Sequence, residues 1–133
     1  MRGSADMKKV NIYVRGMCRS NIDKIGCYAC ILEYKGRRKI IKSILEETTT
    51  NRAILTGMIN SIDMLKEPCK VTMYIHGSVG LNKKKPVNKD LVEIFKDKVA
   101  SGGYELTVNT GMKMQYELSC IVKDELKEFI SKY

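Results

Sequence analysis

The chain has 133 residues and a mass of 15.1 kDa, the size of one domain with one modest core. Hydrophobic residues make up 44% of it, too many for a globally disordered chain, and apolar runs of only a few residues exclude a membrane span. Lys and Arg number 24 against 15 Asp and Glu, and this net charge of +9 suits a polyanionic partner such as nucleic acid. A merely cationic, soluble protein is the alternative, and charge alone does not decide between them.

Two expectations concern the start of the chain. Met1-Arg2-Gly3-Ser4 is typical of an expression tag, so we expect residues 1–6 to be disordered or outside the fold and Met7 to be the native start. Residues 7–133 are then expected to form a single domain. We recognise no secretory signal in the sequence.

Five cysteines stand at positions 18, 27, 30, 69 and 120, and an odd number without an export signal predicts reduced thiols in the cytoplasm. Cys27 and Cys30 have the CxxC spacing of zinc and redox sites, but they lie in an apolar segment typical of a strand. Residues three apart on a strand point to opposite faces. No second CxxC or His pair completes a tetrahedral site. We therefore expect these thiols to act as small buried apolar groups and to bind no metal.

Alternating apolar and β-branched residues predict three consecutive strands. The first covers residues 10–14 and the second covers residues 26–34. The third follows a short turn at residues 35–37 and runs through Ile44. Their tight connections favour an antiparallel meander.

Helices then alternate with strands. Capping side chains at residues 48–51 begin the first helix and Pro68 ends it. Strands are predicted at residues 71–76 and 104–108, each followed by a helix. The apolar stripes of the three helices are Leu55, Met58, Ile59, Ile62 and Leu65; Leu91, Ile94, Phe95 and Val99; and Val122, Leu126, Phe129 and Ile130.

The order β-β-β-α-β-α-β-α predicts an α/β fold. Its sheet would be five-stranded and mixed, with a three-strand antiparallel meander plus two parallel strands, flanked by about three helices.

Four segments, in their order and spacing, resemble type 1 ribonuclease H between Val10 and Phe129. Ile12-Tyr13-Val14-Arg15-Gly16 stands where the family has its first-strand Asp-Gly, and residues 26–32 resemble Gly-Tyr-Gly-Ala-Ile-Leu. Residues 48–55, Thr-Thr-Thr-Asn-Arg-Ala-Ile-Leu, resemble Thr-Thr-Asn-Asn-Arg-Met-Glu-Leu. Residues 84–91 resemble the Lys-Lys-Pro-Val stretch before the family's next helix. The resemblance implies a ribonuclease H-like fold for nearly the whole chain.

Members of this family cleave the RNA strand of an RNA–DNA hybrid, with two magnesium ions held on four carboxylates. Such chemistry needs hard oxygen ligands. The resemblance places other residues at the four positions: Arg15, Ile54, His76 and, for the last, Cys120 or Ile121. Asp124 reaches the last position only if the register of the final helix shifts.

These replacements predict that the family's chemistry is lost. Arg15 puts a fixed positive charge where a cation would sit, and two unit charges repel by about 4 kcal/mol at about 4 Å in an effective dielectric of about 20. Ile54 has no ligand atom, and His76 is a poor magnesium ligand. We therefore predict no catalytic residue, no metal and no cofactor. Arg15 either fills the vacated site by pairing with a nearby acid or carbonyl, or binds phosphate in place of the metal.

Polar residues at the family's nucleic-acid-binding positions match the family better than the residues at its four carboxylate positions do. Cys18, Asn21, Thr50 and Asn51 match positions that in the family approach the minor groove of the hybrid and its 2′-hydroxyls. Such groups contact sugar and backbone more than bases. A local role is the alternative for Thr50 and Asn51, because both residue types cap helices.

A basic loop contains Lys83, Lys84 and Lys85, which are suited to phosphate contacts or are simply solvated. Only residues 77–83 separate the fourth strand from the Lys-Lys-Pro motif. Many family members have a helix here, so the resemblance implies that part of the usual DNA-side surface is missing.

Three hypotheses remain. The first is a catalytically inactive ribonuclease H-like protein that binds RNA, a duplex or an RNA–DNA hybrid through basic and polar groups. The second is a protein-interaction or self-association module on the same scaffold, with its interface exposed by the missing helix. The third and least favoured is an active hybrid ribonuclease with altered chemistry that uses His76, Asp124 or another acid. None of the three involves a membrane.

Overall fold

The computed structural model describes residues 7–19, 23–111 and 113–132 of the chain. The predicted tag at residues 1–6 therefore lies outside the described residues. The elements are β1 (Lys8–Cys18), β2 (Gly26–Tyr34), β3 (Arg37–Leu45), α1 (Thr50–Asp63), β4 (Cys69–Ile75), α2 (Lys89–Gly102), β5 (Glu105–Asn109) and α3 (Gln115–Ser131). This order confirms the predicted one, although β1 is longer than the predicted strand at both ends.

The five strands form one mixed sheet in the order β3-β2-β1-β4-β5. β1 pairs antiparallel with β2, and β2 pairs antiparallel with β3, which confirms the meander. β4 and β5 run parallel to β1. In this register Val14 of β1 lies opposite Ile75, the last residue of β4. The sheet therefore brings the end of β4 to the middle of β1.

The two faces of the sheet carry two separate cores. Ile12 and Val14 belong to the larger core, which α1 and α2 cover. Tyr13 and Ile31 point to the other face and pack with Leu118 of α3. This alternation is the two-residue period of β-strands, and it decides which helix each β1 side chain meets.

The CxxC thiols are divided between these two cores, as predicted. Cys27 lies in the α3 core and Cys30 lies in the α1 core, and both are fully buried. Burial raises the pKa of the Cys27 thiol to about 11 and also raises the pKa of Cys30. Since the thiolate is the metal ligand and the nucleophile, these two thiols are suited to packing.

Helix α1 begins at a threonine cap and lies close against β1. The Thr49 hydroxyl accepts a hydrogen bond from the Arg52 backbone N–H at 3.2 Å, which satisfies one of the free donors of the first turn. Gly16 permits the close packing, because a Cβ there would lie 2.5 Å from the backbone nitrogen of Ile54. Capping was predicted for this segment, but the cap is Thr49, not Thr50 or Asn51.

Three details differ from the predicted pattern. The predicted apolar face of α2 included Ile94, but Ile94 is 44% exposed and Val92 is buried there instead. Ile130, near the end of α3, is 39% exposed. β4 ends at Ile75, so His76 lies just beyond the strand. Ile94 and Ile130 lie at the edges of the apolar faces of their helices, and His76 lies at a strand end. At such positions the neighbouring elements, more than local periodicity, decide what is buried.

The connection from β4 to α2 contains turns and no helix among its residues 76–88, in agreement with its short length. Among the helices of the described ranges, none combines the length and the apolarity that a membrane span requires.

Candidate functional site

The candidate site lies where β4 ends, beside the middle of β1 and the start of α1. Arg15 follows Val14 on β1, and His76 follows Ile75 on β4, so the Val14–Ile75 pair brings the two polar residues to neighbouring positions. Ile54 belongs to the first turns of α1, against the opposite face of β1. The structure thus assembles three of the sequence-predicted positions around one point of the sheet.

Arg15 points to the α3 side of the sheet and is held there by a glutamine. Its Nη1 donates a hydrogen bond to Oε1 of Gln115 at 3.3 Å, and Nε2 of Gln115 donates to the Val14 carbonyl at 3.2 Å. Gln115 is only 2% exposed. The buried Nε of Arg15 has no hydrogen-bond partner among the described residues. The guanidinium is therefore fixed at one end and retains an unused donor.

Of the other positions that the resemblance assigns to metal binding, Ile54, His76 and Cys120 carry no hard oxygen ligand. Ile54 is 1% exposed and packs in the α1 core, so a hydrocarbon occupies this place. His76 is exposed. Cys120 and Asp124 are exposed on α3, at least one helical turn beyond Gln115.

This donor set does not fit a pair of magnesium ions. Mg²⁺ prefers carboxylate, carbonyl and water oxygens, whereas the site contains a guanidinium, an isoleucine and an imidazole. Within residues 7–19, 23–111 and 113–132, no group of three or more His, Cys, Asp or Glu side chains is placed to hold a metal. The buried Arg15 Nε also needs an acceptor, and a cation supplies none.

Two of the predicted polar groups meet at the end of β1. The Cys18 backbone N–H donates to the Thr50 hydroxyl at 3.3 Å, and the Cys18 thiol donates to the Thr48 carbonyl at 3.5 Å. Asn51 is exposed in the first turn of α1. Asn21 lies outside the described residues. Because Thr49 is the cap, capping does not explain the amide of Asn51 or the hydroxyl of Thr50.

The basic loop is anchored to the same end of the molecule. Lys83, Lys84 and Lys85 are all exposed. At the far end of the loop, Arg52 of α1 makes two hydrogen bonds to the Asp90 carboxylate, at 3.0 and 2.8 Å. This contact lowers the pKa of the Asp90 carboxyl to about 2. The loop therefore leaves β4 beside Arg15 and returns to the start of α1.

Comparison with known proteins identifies the source of this arrangement. The sequence model of the RNase H family matches residues 7–79, more than half of the chain. The chain belongs to the RNase H family. That match contains β1, α1 and β4, and with them Arg15, Ile54 and the adjacent His76.

The curated relatives of this RNase H family member are similar over the same region. The ribonuclease H of Caldicellulosiruptor saccharolyticus is 43% identical over 76 residues, 57% of this chain and 52% of the relative. That of Clostridium botulinum is 37% identical over 78 residues, 57% of this chain and 52% of the relative. That of Acetivibrio thermocellus is 43% identical over 68 residues, 51% and 46% of the two chains. Each match spans about half the length of the relative.

Sequence reasoning missed two residues of the site. Gln115 is 100 positions from Arg15 and is the α3 residue that reaches it. A buried glutamine at the start of an amphipathic helix is a weak signal, because only the packing of α3 on β1 shows what it contacts. Arg52 stood inside a recognised motif, but its partner Asp90 is 38 residues away.

Proposed function

We propose that this RNase H family member is catalytically inactive and binds nucleic acid, as RNA, a duplex or an RNA–DNA hybrid. The proposal depends on one observation: Arg15, which the resemblance places at the first metal-binding position, is half-buried and held by Gln115, and its Nε has no partner among the described residues. A guanidinium is a planar fork of N–H donors that matches phosphate geometry. The site would thus bind the backbone phosphate directly, without a bridging metal.

The surroundings of Arg15 support a backbone-binding surface. Lys83, Lys84 and Lys85 present three exposed ammonium groups in the loop that leaves β4. Contacts of this kind position a nucleic acid without reading its sequence, and they make affinity depend on salt. Asn51 adds an exposed amide at the start of α1, a group suited to sugar hydroxyls.

Binding is tested with labelled single-stranded RNA, RNA duplex and RNA–DNA hybrid between about 50 and 200 mM salt. We expect measurable affinity at low salt that falls as salt rises. Arg15→Gln should weaken binding of the duplex and of the hybrid and lower the salt slope by about one phosphate contact. Lys66→Gln is the matched control, since Lys66 is exposed beyond the last turn of α1, at the opposite end of the molecule. Absence of binding at low salt, or equal losses in both variants, contradicts the proposal.

A protein-interaction module is the second candidate, and two exposed side chains favour it. Val87 is 94% exposed in the loop before α2, and Tyr116 is 84% exposed beside Gln115. Binding to another protein would bury these two exposed side chains, whose removal from water is favourable. Sedimentation at several concentrations, with Val87→Ser and Tyr116→Ser as variants, tests self-association. A concentration-independent monomer contradicts that form of the candidate.

A further inference from the structure

The α3 side of the sheet is only partly covered. α3 lies against β1, β2 and β3, which places it over one half of the β3-β2-β1-β4-β5 sheet. On β5, the residues Glu105, Thr107 and Asn109, which alternate with half-buried neighbours, are exposed. On β4, Thr72 and Tyr74 are half-buried. An open sheet surface therefore extends from β1 to β5 beside α3.

Strand register arranges the side chains of this open face in three rows, about 7 Å apart along the strands. Each row takes one residue from β1, one from β4 and one from β5. The rows are Lys9, Lys70 and Glu105; Asn11, Thr72 and Thr107; and Tyr13, Tyr74 and Asn109. A shallow hollow lined by Lys9, Asn11, Lys70, Thr72, Glu105 and Thr107 joins the first two rows.

An aromatic pair lies at the third row. The rings of Tyr13 and Tyr74 are stacked, with centroids 4.9 Å apart and planes at 14°. Tyr13 is 2% exposed, so it supports Tyr74 from the buried side. The ammonium of Lys113 lies 5.1 Å from the centroid of the Tyr74 ring. The half-buried Tyr74 ring thus stacks on Tyr13, and the flexible side chain of Lys113 places its ammonium over the Tyr74 ring.

The charge of the face favours an anion. Lys9, Lys70 and Lys113 contribute three ammonium groups, and Glu105 contributes one carboxylate. Glu33, on the neighbouring strand, already accepts hydrogen bonds from Arg38 at 3.1 Å and from the Tyr13 hydroxyl at 3.4 Å. It therefore adds little uncompensated negative charge to the face.

We propose that this open face binds single-stranded nucleic acid, with a base stacked on Tyr74 and phosphates on Lys9, Lys70 and Lys113. A flat sheet that combines an aromatic platform with surrounding cations is the arrangement that suits unpaired bases, whose rings are free to stack. A duplex hides its bases and offers no ring to Tyr74. In the free protein the Lys113 ammonium lies over the Tyr74 ring. When a base stacks on the ring, the ammonium moves away and binds a phosphate.

The proposal is separate from duplex or hybrid binding at Arg15 and does not depend on it. Arg15 lies two residues after Tyr13 on the same face of β1, but Gln115 of α3 holds it. The polar rows extend in the other direction along the strand, toward Lys9. Variants in the rows and variants at Arg15 therefore test different surfaces.

The experiment measures the affinity of an oligouridine of about ten nucleotides for the full chain and for Tyr74→Leu. Loss of base stacking in Tyr74→Leu should weaken oligouridine binding by about tenfold or more. The affinity for an RNA duplex of the same length should not change. Tyr34→Leu is the matched control. The ring of Tyr34 also carries lysine ammoniums, from Lys8 and Lys35, at 5.3 and 5.4 Å, but it packs against the α1 core.

Two further measurements keep the test independent of folding. Lys70→Gln and Lys113→Gln leave the apolar cores intact and should each weaken oligouridine binding and reduce its salt dependence. Photocrosslinking with 5-iodouridine in the oligonucleotide should place the crosslink at Tyr74. A crosslink at other residues, or unchanged affinity in Tyr74→Leu and in both lysine variants, overturns the proposal. Arg15→Gln, measured on the hybrid, tests the proposed function separately.

Discussion

Arg15 shows how one side chain changes what a site can hold. A carboxylate at this position would attract a cation, whereas the guanidinium repels one by about 4 kcal/mol per unit charge at about 4 Å in an effective dielectric of about 20. Gln115 stabilises the guanidinium at this position because its Oε1 accepts from Arg15 while its Nε2 donates to the Val14 carbonyl. The glutamine is thus a hydrogen-bond partner for the guanidinium on the α3 side of the sheet.

Replacement of Gln115 by alanine should therefore lower the free energy of unfolding. The buried Val14 carbonyl loses its side-chain donor and Arg15 loses its acceptor, a cost of about 1–3 kcal/mol. Urea unfolding of the wild type and of Gln115→Ala measures this difference. Lys123→Ala, exposed on the same helix, serves as the control and should change little. Equal stability of Gln115→Ala and the wild type would show that the contact contributes nothing.

The Arg52–Asp90 contact should make stability depend on pH. The pKa of the Asp90 carboxyl is lowered to about 2 in the folded state, below its unfolded value of about 4. Its contribution is therefore complete above about pH 4 and is lost as pH falls toward 2. Asp90→Asn should be less stable than the wild type at pH 7 and should approach it near pH 2. Urea unfolding across this range checks the trend, and a difference that does not narrow on acidification contradicts it.

At the scale of elements, sequence periodicity predicted most of what is observed. β2 was predicted within its exact bounds, because Gly26 and the turn after Tyr34 frame a continuous apolar run. α2 was less predictable, since Ile94 and Val92 are both apolar and only the position of the neighbouring strands decides which one is buried. The sequence offered several adjacent threonines that could cap α1. In the structure Thr49 is the cap, because its backbone is extended and its hydroxyl accepts from the Arg52 N–H.

Thr49→Ala should destabilise the protein through the start of α1. The variant removes the acceptor for the Arg52 N–H, and the loss of such a cap costs about 1 kcal/mol. Asn51→Ala, in the first turn and exposed, should have a much smaller effect on stability. Thermal and urea unfolding of both variants provide the comparison. A larger effect at Asn51 than at Thr49 would mean that the cap is assigned to the wrong residue.

For the whole molecule, the fold was predictable and the site only in part. The order of elements and four short motifs were enough for the architecture, because each strand and helix carries its own periodicity. The positions of Arg15, Ile54 and His76 followed from the same motifs. Gln115 and the Arg52–Asp90 pair were not accessible, since they join segments that are distant in sequence and depend on helix packing.

The structure shows where part of the net charge of +9 lies on the molecule. One of these positive charges, Arg15, lies at the candidate site. Another part is spread over the loop with Lys83–Lys85 and over the open sheet face with Lys9 and Lys70. Basic side chains in this loop and on the open sheet face agree with the proposed binding of nucleic acid.

Binding without hydrolysis distinguishes the proposed function from that of an active ribonuclease. The most direct measurement incubates an RNA–DNA hybrid, labelled on its RNA strand, with the protein in Mg²⁺ or Mn²⁺ at a concentration that saturates binding. We expect the hybrid to be bound and its RNA strand to remain full length. Metal-dependent cleavage that is lost in His76→Ala, purified in the same way, would contradict it.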